Sequence, residues 1–312
     1  MNNVNLDRYK DFEKKELFGG LRCKTFLFQK GKEKKIYQTY SDGATYQAKK
    51  KYDIIKLIKE TTNCDFIPDA YGYVANDNDS WLLTEFKEGK TLDDIRKENK
   101  DFNLSLIAED ISRALLEIHS VKGEKTFGWI TDNGVFRNDK FYQYLESELE
   151  RFYTPLSDNL SYEEVKEIFG KSSEAMEFIK NRTETIDSVI TWYDLNPKNI
   201  IIEKKDGKYT LSGIIDPGGA KYGIREWDLA FIKFEICQND EEFNSILNCY
   251  SSGLEKLGKT VDIELINTLG IFVEMDDMVI SVLDKINLPI PYCSNFKNII
   301  KSIHNKNDDS KI

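Results

Sequence analysis

One β-hairpin interrupts the otherwise helical second part of the sequence. The apolar run NIIIE is followed by the polar turn KKDG and then by a second run, KYTLSGIID. Two short runs rich in β-branched residues that flank a turn predict a pair of antiparallel strands. The pairing places Asn199, just before the first strand, near Asp216, just after the second. Asp194 lies in the loop that leads into the hairpin.

These three side chains suit one kind of chemistry. The spacing D-x-x-x-x-N is common in turns and says little alone, but the hairpin adds a second carboxylate. Phosphoryl transfer needs metal ions that bridge the phosphates and a carboxylate that orients the attacking hydroxyl and accepts its proton. Magnesium prefers carboxylate and amide oxygens together with phosphate and water. We therefore interpret Asp194 as the base and Asn199 and Asp216 as ligands of Mg²⁺.

The order of the predicted elements indicates an α+β arrangement. The segments KELFGG, TFLFQKG, KKIYQTY and AYGYVANDNDSWLLTEF read as strands, with one helix in AKKKYDIIKLIKE. From KEGKTLDDI onward the apolar residues mostly recur at helical spacing. We expect a small β-rich lobe over residues 1–86 and a larger helical lobe over residues 87–312, with a cleft between them.

Composition excludes several classes of protein. The 312 residues are 40% hydrophobic and 31% charged, which is typical of a globular protein. The first residues carry no secretory signal and no segment reaches the ~18 apolar residues of a membrane helix, so we predict a cytoplasmic protein that does not enter a membrane. The net charge of −10 disfavours nucleic acid as a partner and suits a cationic small molecule. Oligomeric state is not indicated.

The motif WYDLNPKNIII…GIIDPGGAKYGIREWDLA resembles the aminoglycoside phosphotransferase family, whose relatives include fructosamine and choline kinases. The resemblance runs from about residue 17 to 232 and implies a bilobal protein-kinase-like fold. It implies transfer of the γ-phosphate of ATP or GTP, with Mg²⁺, to a hydroxyl of a small molecule. It places Asp194 on the catalytic base, Asn199 and Asp216 on the metal ligands, and Asp228 on an acid that braces the catalytic loop.

The resemblance also implies a nucleotide site in the first lobe. SWLLTEFKEGKTL is similar to the family's hinge, where backbone groups of Glu85 and Phe86 would meet the adenine. FGGLRCKTF contains the pair Gly19 and Gly20, which either covers the phosphates or is an ordinary turn.

The expected phosphate-binding lysine of the third strand is absent. Alignment puts Gln38 there, and the position of the usual helix glutamate falls on Lys51 in a gapless alignment, or on Lys50 or Asp53 if the register shifts. In one hypothesis Lys51 or a neighbour reaches the phosphates from the helix while Gln38 accepts its hydrogen bond. In the other, Lys49 to Lys51 form a solvated face and phosphate binding is weakened, which would fit a catalytically silent relative that still binds nucleotide.

Two further departures concern the catalytic loop and the acceptor site. The loop carries Trp192 and Tyr193 where the family has histidine and a small residue, and we expect a buried tryptophan to replace the histidine by packing. Near the C-terminus, FVEMDDMVISV places Glu274, Asp276 and Asp277 together. They are either acceptor-binding acids or an acidic helix face turned to water. An aminoglycoside, a glycated amine, a sugar or an amino alcohol would each fit as acceptor.

Overall fold

The N-terminal part of the chain forms an antiparallel sheet with one helix packed on it. The computed structural model describes residues 6–17, 23–41, 44–62, 64–76, 80–130 and 137–283. The sheet has the order β1-β2-β3-β5-β4. Its strands are β1 (Glu13–Leu17), β2 (Cys23–Lys30), β3 (Glu33–Tyr40), β4 (Ala70–Ala75) and β5 (Ser80–Glu85). The helix α1 (Tyr46–Thr62) joins β3 to β4.

The helix α1 is amphipathic and connects the sheet to the rest of the molecule. Its residues Ile54, Ile55 and Ile58 are buried and belong to the same apolar core as the C-terminal helices. Ala48, one to two turns earlier, packs instead with Tyr40 and Leu82 of the sheet. Because one face of α1 serves both cores, the lysines between these positions lie at the junction of the sheet and the helical region.

Helices dominate the remainder of the described chain. Capping residues set two of the helix starts, since the Thr91 hydroxyl accepts from the Asp94 N–H, and Ser161 and Glu164 form a capping box. The helices are α2 (Leu92–Glu98), α3 (Ala108–Ile118), α4 (Phe141–Asn159), α5 (Tyr162–Thr183), α6 (Arg225–Phe231), α7 (Asp240–Glu255) and α8 (Ile263–Leu283).

Two small sheets lie among these helices. They are built from β6 (Lys90–Thr91), β7 (Gly128–Trp129), β8 (Val189–Thr191), β9 (Ile200–Lys205), β10 (Lys208–Ile214) and β11 (Lys221–Gly223). The predicted hairpin is β9-β10, and β6 pairs with its other edge. In the second sheet β11 lies between β7 and β8.

This arrangement confirms the predicted fold class, a β-rich N-terminal part followed by a helical one. The boundary at residue 86 stays a prediction. No helix among the residues described is both long and apolar enough to cross a bilayer.

Candidate active site

A buried carboxylate holds the loop that carries Asp194. Asp228, in α6, is fully buried, and its two oxygens accept from the backbone N–H groups of Trp192 at 2.7 Å and Tyr193 at 2.9 Å. The same carboxylate is 3.0 Å from Nε2 of His119, whose Nδ1 contacts the Tyr250 hydroxyl. His119 is therefore a structural group that supports Asp228.

The backbone just before Asp194 is strained. Tyr193 has a φ of +69°, and the N–H of Asp194 donates to the carbonyl of Trp192 at 2.9 Å. A hydrogen bond across three residues with positive φ at the centre is the rare, strained form of γ-turn. The family pattern has a small residue at this position, and here an aromatic side chain takes it, so packing must hold the turn.

Aromatic packing around Tyr193 does hold it. The Tyr193 ring stacks on Trp227 with centroids 5.2 Å apart and planes within 10°, and it also packs on Phe231. Trp192 is completely buried and its indole N–H donates to the carbonyl of Ile215, 3.3 Å away. The expectation that a buried tryptophan replaces the loop histidine is met by this geometry.

Asp194 is exposed to solvent, but protein groups surround its carboxyl group. Desolvation raises the pKa of its carboxyl; the hydrogen bond from Asn196 lowers the pKa, and the charges of Asp216 and Asp276 raise it further. Asn196 donates to Oδ1 at 2.7 Å and fixes the carboxylate rotamer, and Asn199 donates to the main-chain carbonyl at 3.0 Å. A carboxyl with a raised pKa is a better proton acceptor than a free one.

The hairpin brings Asn199 and Asp216 together as predicted. The N–H of Ile215 donates to the carbonyl of Asn199 at 2.9 Å, so Asp216 is one residue beyond that pairing. Because the Asn199 amide nitrogen donates to the carbonyl of Asp194, the amide oxygen is the atom that could serve as a metal ligand. Asp216 has a φ of +61° and its side chain is one-third exposed. One amide and one carboxylate oxygen fit a magnesium ion that takes its other ligands from phosphate and water.

Among the described residues, no cluster of three or more His, Cys, Asp or Glu side chains is placed to hold a metal ion by itself.

Two glycines let other groups approach this site closely. A Cβ on Gly219 would lie 2.9 Å from Cβ of Asp194, so only glycine lets the segment after Asp216 pack against the catalytic loop. A Cβ on Gly218 would lie 2.9 Å from Cε of Lys51. The pair Gly218-Gly219 thus brings Asp216, Asp194 and α1 into one site.

Two lysines of α1 enter the site from the side of the N-terminal sheet. The Lys51 ammonium group is buried and lies 2.7 Å from Oδ1 of Asp216. Lys50 donates to the carbonyl of Gly218 at 2.7 Å. Burial lowers the pKa of Lys50 to about 8, with a contribution from the charge of Lys51. The hypothesis that Lys49 to Lys51 form a solvated face is therefore wrong for Lys50 and Lys51.

The predicted contact between Lys51 and Gln38 is replaced by another arrangement. The Gln38 amide oxygen accepts from the Tyr40 hydroxyl at 3.1 Å, and its amide nitrogen faces Thr25 and Cys23 on β2. Lys51 lies 5.2 Å from the centre of the Tyr40 ring. Tyr40 thus separates Gln38 from Lys51, and the acceptor for Lys51 is Asp216.

The assignment of the other residues to nucleotide binding stays a prediction. Glu85 ends β5, and its N–H donates to the carbonyl of Asp69 at 2.8 Å. The Lys34 ammonium group lies 4.9 Å from the centre of the Phe86 ring. Gly19 and Gly20 lie outside the described residues.

In α8, Glu274 and Asp276 are buried and Asp277 is half-buried, so the interpretation of these acids as a water-facing helix surface is wrong. Glu274 and Asp276 are 2% and 6% exposed, and Oε2 of Glu274 is buried without a hydrogen-bond partner. Burial raises the pKa of Glu274 to about 7. Asp277 shares a hydrogen bond with Glu235, and burial raises the pKa of both carboxyls. The acids face the interior near Asp194, whose charge contributes to the raised pKa of Asp277.

Comparison with known proteins identifies this arrangement. The sequence model of the phosphotransferase enzyme family matches residues 16–250, which contain Lys51, Asp194, Asn199, Asp216 and Asp228. The chain belongs to the phosphotransferase enzyme family. Comparison of its sequence with curated proteins finds no match.

Solved structures with the same fold include members with different acceptors in their descriptions. A putative fructosamine-3-kinase from Haemophilus somnus 129PT aligns with a TM-score of 0.62 at 13% identity, over 93% of this chain and 90% of that one. An aminoglycoside-3'-phosphotransferase of type VIII aligns with a TM-score of 0.56 at 16% identity, over 86% and 95%. A spectinomycin phosphotransferase in complex with ADP and spectinomycin aligns with a TM-score of 0.58 at 12% identity, over 93% and 89%. The likeness confirms the kinase-like fold.

This member of the phosphotransferase enzyme family has a cluster of charged and aromatic side chains behind the loop that carries Asp194, which the sequence did not predict; its members Glu148, Lys221 and Asp276 are buried. Trp129, Glu148, Arg151, Lys221 and Asp276 come from β7, α4, β11 and α8. Residues from four separated segments share no spacing that a sequence pattern could reveal.

Proposed function

We propose that the protein transfers the γ-phosphate of ATP or GTP to a hydroxyl group of a small molecule. The observation that carries the proposal is the convergence of Asp194, Asn199 and Asp216 on one side of the β9-β10 hairpin, with the Lys51 ammonium group 2.7 Å from Asp216. Family membership supports phosphotransferase activity. The chemical class of the acceptor is inferred from the side chains at the site.

Asp194 orients the acceptor hydroxyl and takes its proton as the oxygen attacks the γ-phosphorus. The bond from that phosphorus to the bridging oxygen of the β-phosphate breaks, and the nucleoside diphosphate leaves. Asn199 and Asp216 would hold magnesium, which would supply positive charge to neutralise the phosphates. The Asp228 carboxylate keeps the loop in place, so Asp194 is aimed by fixed backbone contacts.

Lysines of α1 replace the usual strand lysine in nucleotide binding. Lys51 is next to Asp216, where an ammonium group would also meet phosphate oxygens, while Gln38 is held by Tyr40 and β2. Adenine or guanine would lie against the backbone around Phe86, because the Glu85 N–H is already bonded to Asp69.

The buried acids of α8 favour an acceptor that carries positive charge near its hydroxyl. The unpaired oxygen of Glu274 and the hydrogen bond between the carboxyl groups of Glu235 and Asp277 mark acids for which no cation is among their contacts in the described part of the chain. A protonated amine of the acceptor, bound beside these acids, would supply the missing cationic partner. Aminoglycosides, glycated amines and amino alcohols have such amines, whereas simple sugars do not.

The experiment is a phosphorylation screen against aminoglycosides, fructosamines, amino alcohols and neutral sugars, with ATP or GTP and Mg²⁺. We expect transfer to at least one amine-bearing alcohol by the wild-type protein and none by Asp194→Ala. Transfer to neutral sugars alone would contradict the proposed role of the acids. Transfer that persists in Asp194→Ala would contradict the proposed base.

One observation favours a second candidate, a nucleotide-binding protein without transferase activity. Lys51 is paired with an oxygen of Asp216 that magnesium would need. If that ion pair persists with nucleotide bound, metal binding fails. Nucleotide binding that is independent of Mg²⁺, with no turnover on the whole panel, would support this candidate.

A further inference from the structure

A lysine ammonium group is enclosed by aromatic rings directly behind the catalytic loop. Lys221 is 1% exposed. Its Nζ lies 3.0 Å from the centre of the Tyr193 ring and 3.8 Å from that of Trp129, and it donates to the Tyr144 hydroxyl at 2.6 Å. Cations over aromatic faces are attracted by the ring quadrupole, and the attraction is strongest when water is excluded.

Strand pairing puts Lys221 in this position. In the sheet β7-β11-β8, Lys221 is opposite Trp129 on one side and opposite Thr191 on the other. Trp192 and Tyr193 follow Thr191 at once, so the chain turns from the strand into the strained loop beside the lysine. The contact between Lys221 and Tyr193 is therefore built into the sheet register.

Carboxylates complete the surroundings of the ammonium group. Glu148 Oε2 is 3.7 Å from Nζ of Lys221, and Glu148 also accepts from the Trp129 indole N–H. Arg151 joins Glu148 to Asp276, at 2.7 Å and 2.9 Å. The cluster contains two carboxylates and two cationic side chains. The charges of the cluster therefore cancel only while Lys221 is protonated.

We propose that the Lys221 ammonium group is a positioning group for catalysis, which holds the Tyr193 ring and so fixes the strained turn that aims Asp194. Tyr193 is the residue at the centre of this turn, with positive φ. Its ring contacts Lys221 and stacks on Trp227. Lys221 touches neither substrate nor reacting atoms in this role, which rests on the proposed phosphotransferase function.

The hold depends on the charge of Lys221, and that charge changes near neutral pH. Burial lowers the pKa of Lys221 to about 7; the charges of Glu148 and Asp276 raise it, and those of Arg151 and Lys50 lower it. Tyr144 and Tyr193 are the other titratable groups around it, and burial raises the pKa of both phenols, so they stay neutral. As pH rises through 7 the ammonium group loses its proton and the attraction to the rings weakens.

The test compares three proteins: wild type, Lys221→Met and Lys221→Ala. Methionine keeps the length of the side chain without the charge, and alanine leaves room for n-propylammonium, which supplies the missing atoms. We expect kcat for Lys221→Met to be about tenfold below wild type at pH 6, the size of one desolvated cation–π contact, with nucleotide affinity unchanged. We expect propylammonium, but not 1-propanol, to restore kcat of Lys221→Ala.

The pH dependence separates positioning from a role in packing alone. Wild-type kcat should fall as pH rises through about 7 while that of Lys221→Met lacks this limb. Tryptophan fluorescence should titrate in the same range in the wild type only, because Trp129 contacts the ammonium group. Lys35→Met is the matched control, since Lys35 also contacts an aromatic ring and a phenol hydroxyl, those of Tyr71 in the N-terminal sheet.

Equal kcat and equal pH profiles for wild type and Lys221→Met would overturn the positioning role, as would rescue of Lys221→Ala by propanol. Wild-type protein without turnover at any pH would instead overturn the proposed phosphotransferase function, and the fluorescence titration would then still report whether Lys221 is charged against Trp129.

Discussion

The substitution Asp228→Asn separates the support of the catalytic loop from ordinary fold stability. Oδ1 of Asp228 accepts from Tyr193, and Oδ2 accepts from Trp192 and lies 3.0 Å from His119. An asparagine keeps the shape but presents an NH₂ group to one of these sides. The less costly orientation places the NH₂ group beside the Tyr193 N–H, so that the remaining oxygen still faces Trp192 and His119. Only the Tyr193 N–H is then left unpaired.

The size of the effect follows from that one donor. An unpaired buried N–H costs about 1–3 kcal/mol, which corresponds to a fall in Tm of roughly 4 °C for a chain of this length. The donor belongs to the residue with φ of +69°, so the strained turn should relax and displace Asp194. A displacement of about 1 Å at a reacting group lowers kcat by roughly 100-fold.

Glu242→Gln is the matched control. The Glu242 carboxylate is also buried and accepts from two backbone N–H groups, those of Leu104 and Gln238, far from the loop in sequence. Glu242 also accepts from Arg96 at 3.0 Å, so Tm should fall at least as far in Glu242→Gln as in Asp228→Asn. Thermal unfolding and steady-state kinetics of both variants should show a loss of kcat in Asp228→Asn alone. Equal kcat in the two variants would refute the view that Asp228 acts on catalysis through the loop.

Three more substitutions test other parts of the site. Lys51→Met should weaken ATP or GTP binding by about tenfold or more, because a charge-assisted contact to phosphate is lost; titration calorimetry measures it, and unchanged affinity would show that Lys51 does not reach the nucleotide. Gly219→Ala should lower kcat at least tenfold with a smaller effect on nucleotide affinity, since its Cβ would press on Asp194; kinetics with a normal kcat would contradict the close approach. Lys221 has a pKa lowered to about 7, below that of lysine in an unfolded chain, so between pH 7 and about 10 the unfolded chain binds a proton that the folded chain does not. The free energy of unfolding of the wild type should therefore rise with pH, relative to Lys221→Met, by about 1.4 kcal/mol per pH unit at most; urea unfolding at pH 7 and 9 measures this, and parallel pH dependences would contradict it.

The parts of the site that the sequence predicted are those that one local element brings together. Asn199 and Asp216 are far apart in number but lie at the open end of one hairpin, whose strands are visible as apolar runs. The brace by Asp228 followed from the family motif and is seen as two hydrogen bonds to the loop. The fold class followed in the same way, from strands grouped before helices.

The parts that the sequence could not predict depend on contacts between distant elements. In one hypothesis Gln38 paired with Lys51, but Tyr40, which lies on the same face of β3 as Gln38, bonds Gln38 and contacts Lys51 instead. The acids of α8 form a charge pattern typical of a water-facing helix, and only the packing of α8 on α4, α5 and α6 buries them. Lys221 gave no signal, because a lysine in a strand of three residues is ordinarily exposed.

Tyr193 stands where the family pattern has a small residue, and this replacement is visible in the sequence alone. A position where the family pattern places a small residue is often one that needs positive φ. An aromatic residue there implies strain and therefore a compensating contact, which the structure provides through Trp227 and Lys221.

The most direct test of the central claim is single-turnover phosphoryl transfer by Asp194→Asn, with nucleotide affinity measured in parallel. Asparagine keeps the size of the side chain but cannot accept the proton of the acceptor hydroxyl. We expect ATP or GTP affinity within about threefold of wild type and a transfer rate reduced by about 100-fold or more, the usual contribution of a general base. Transfer at the wild-type rate, with affinity unchanged, would contradict the assignment of Asp194 as the catalytic base.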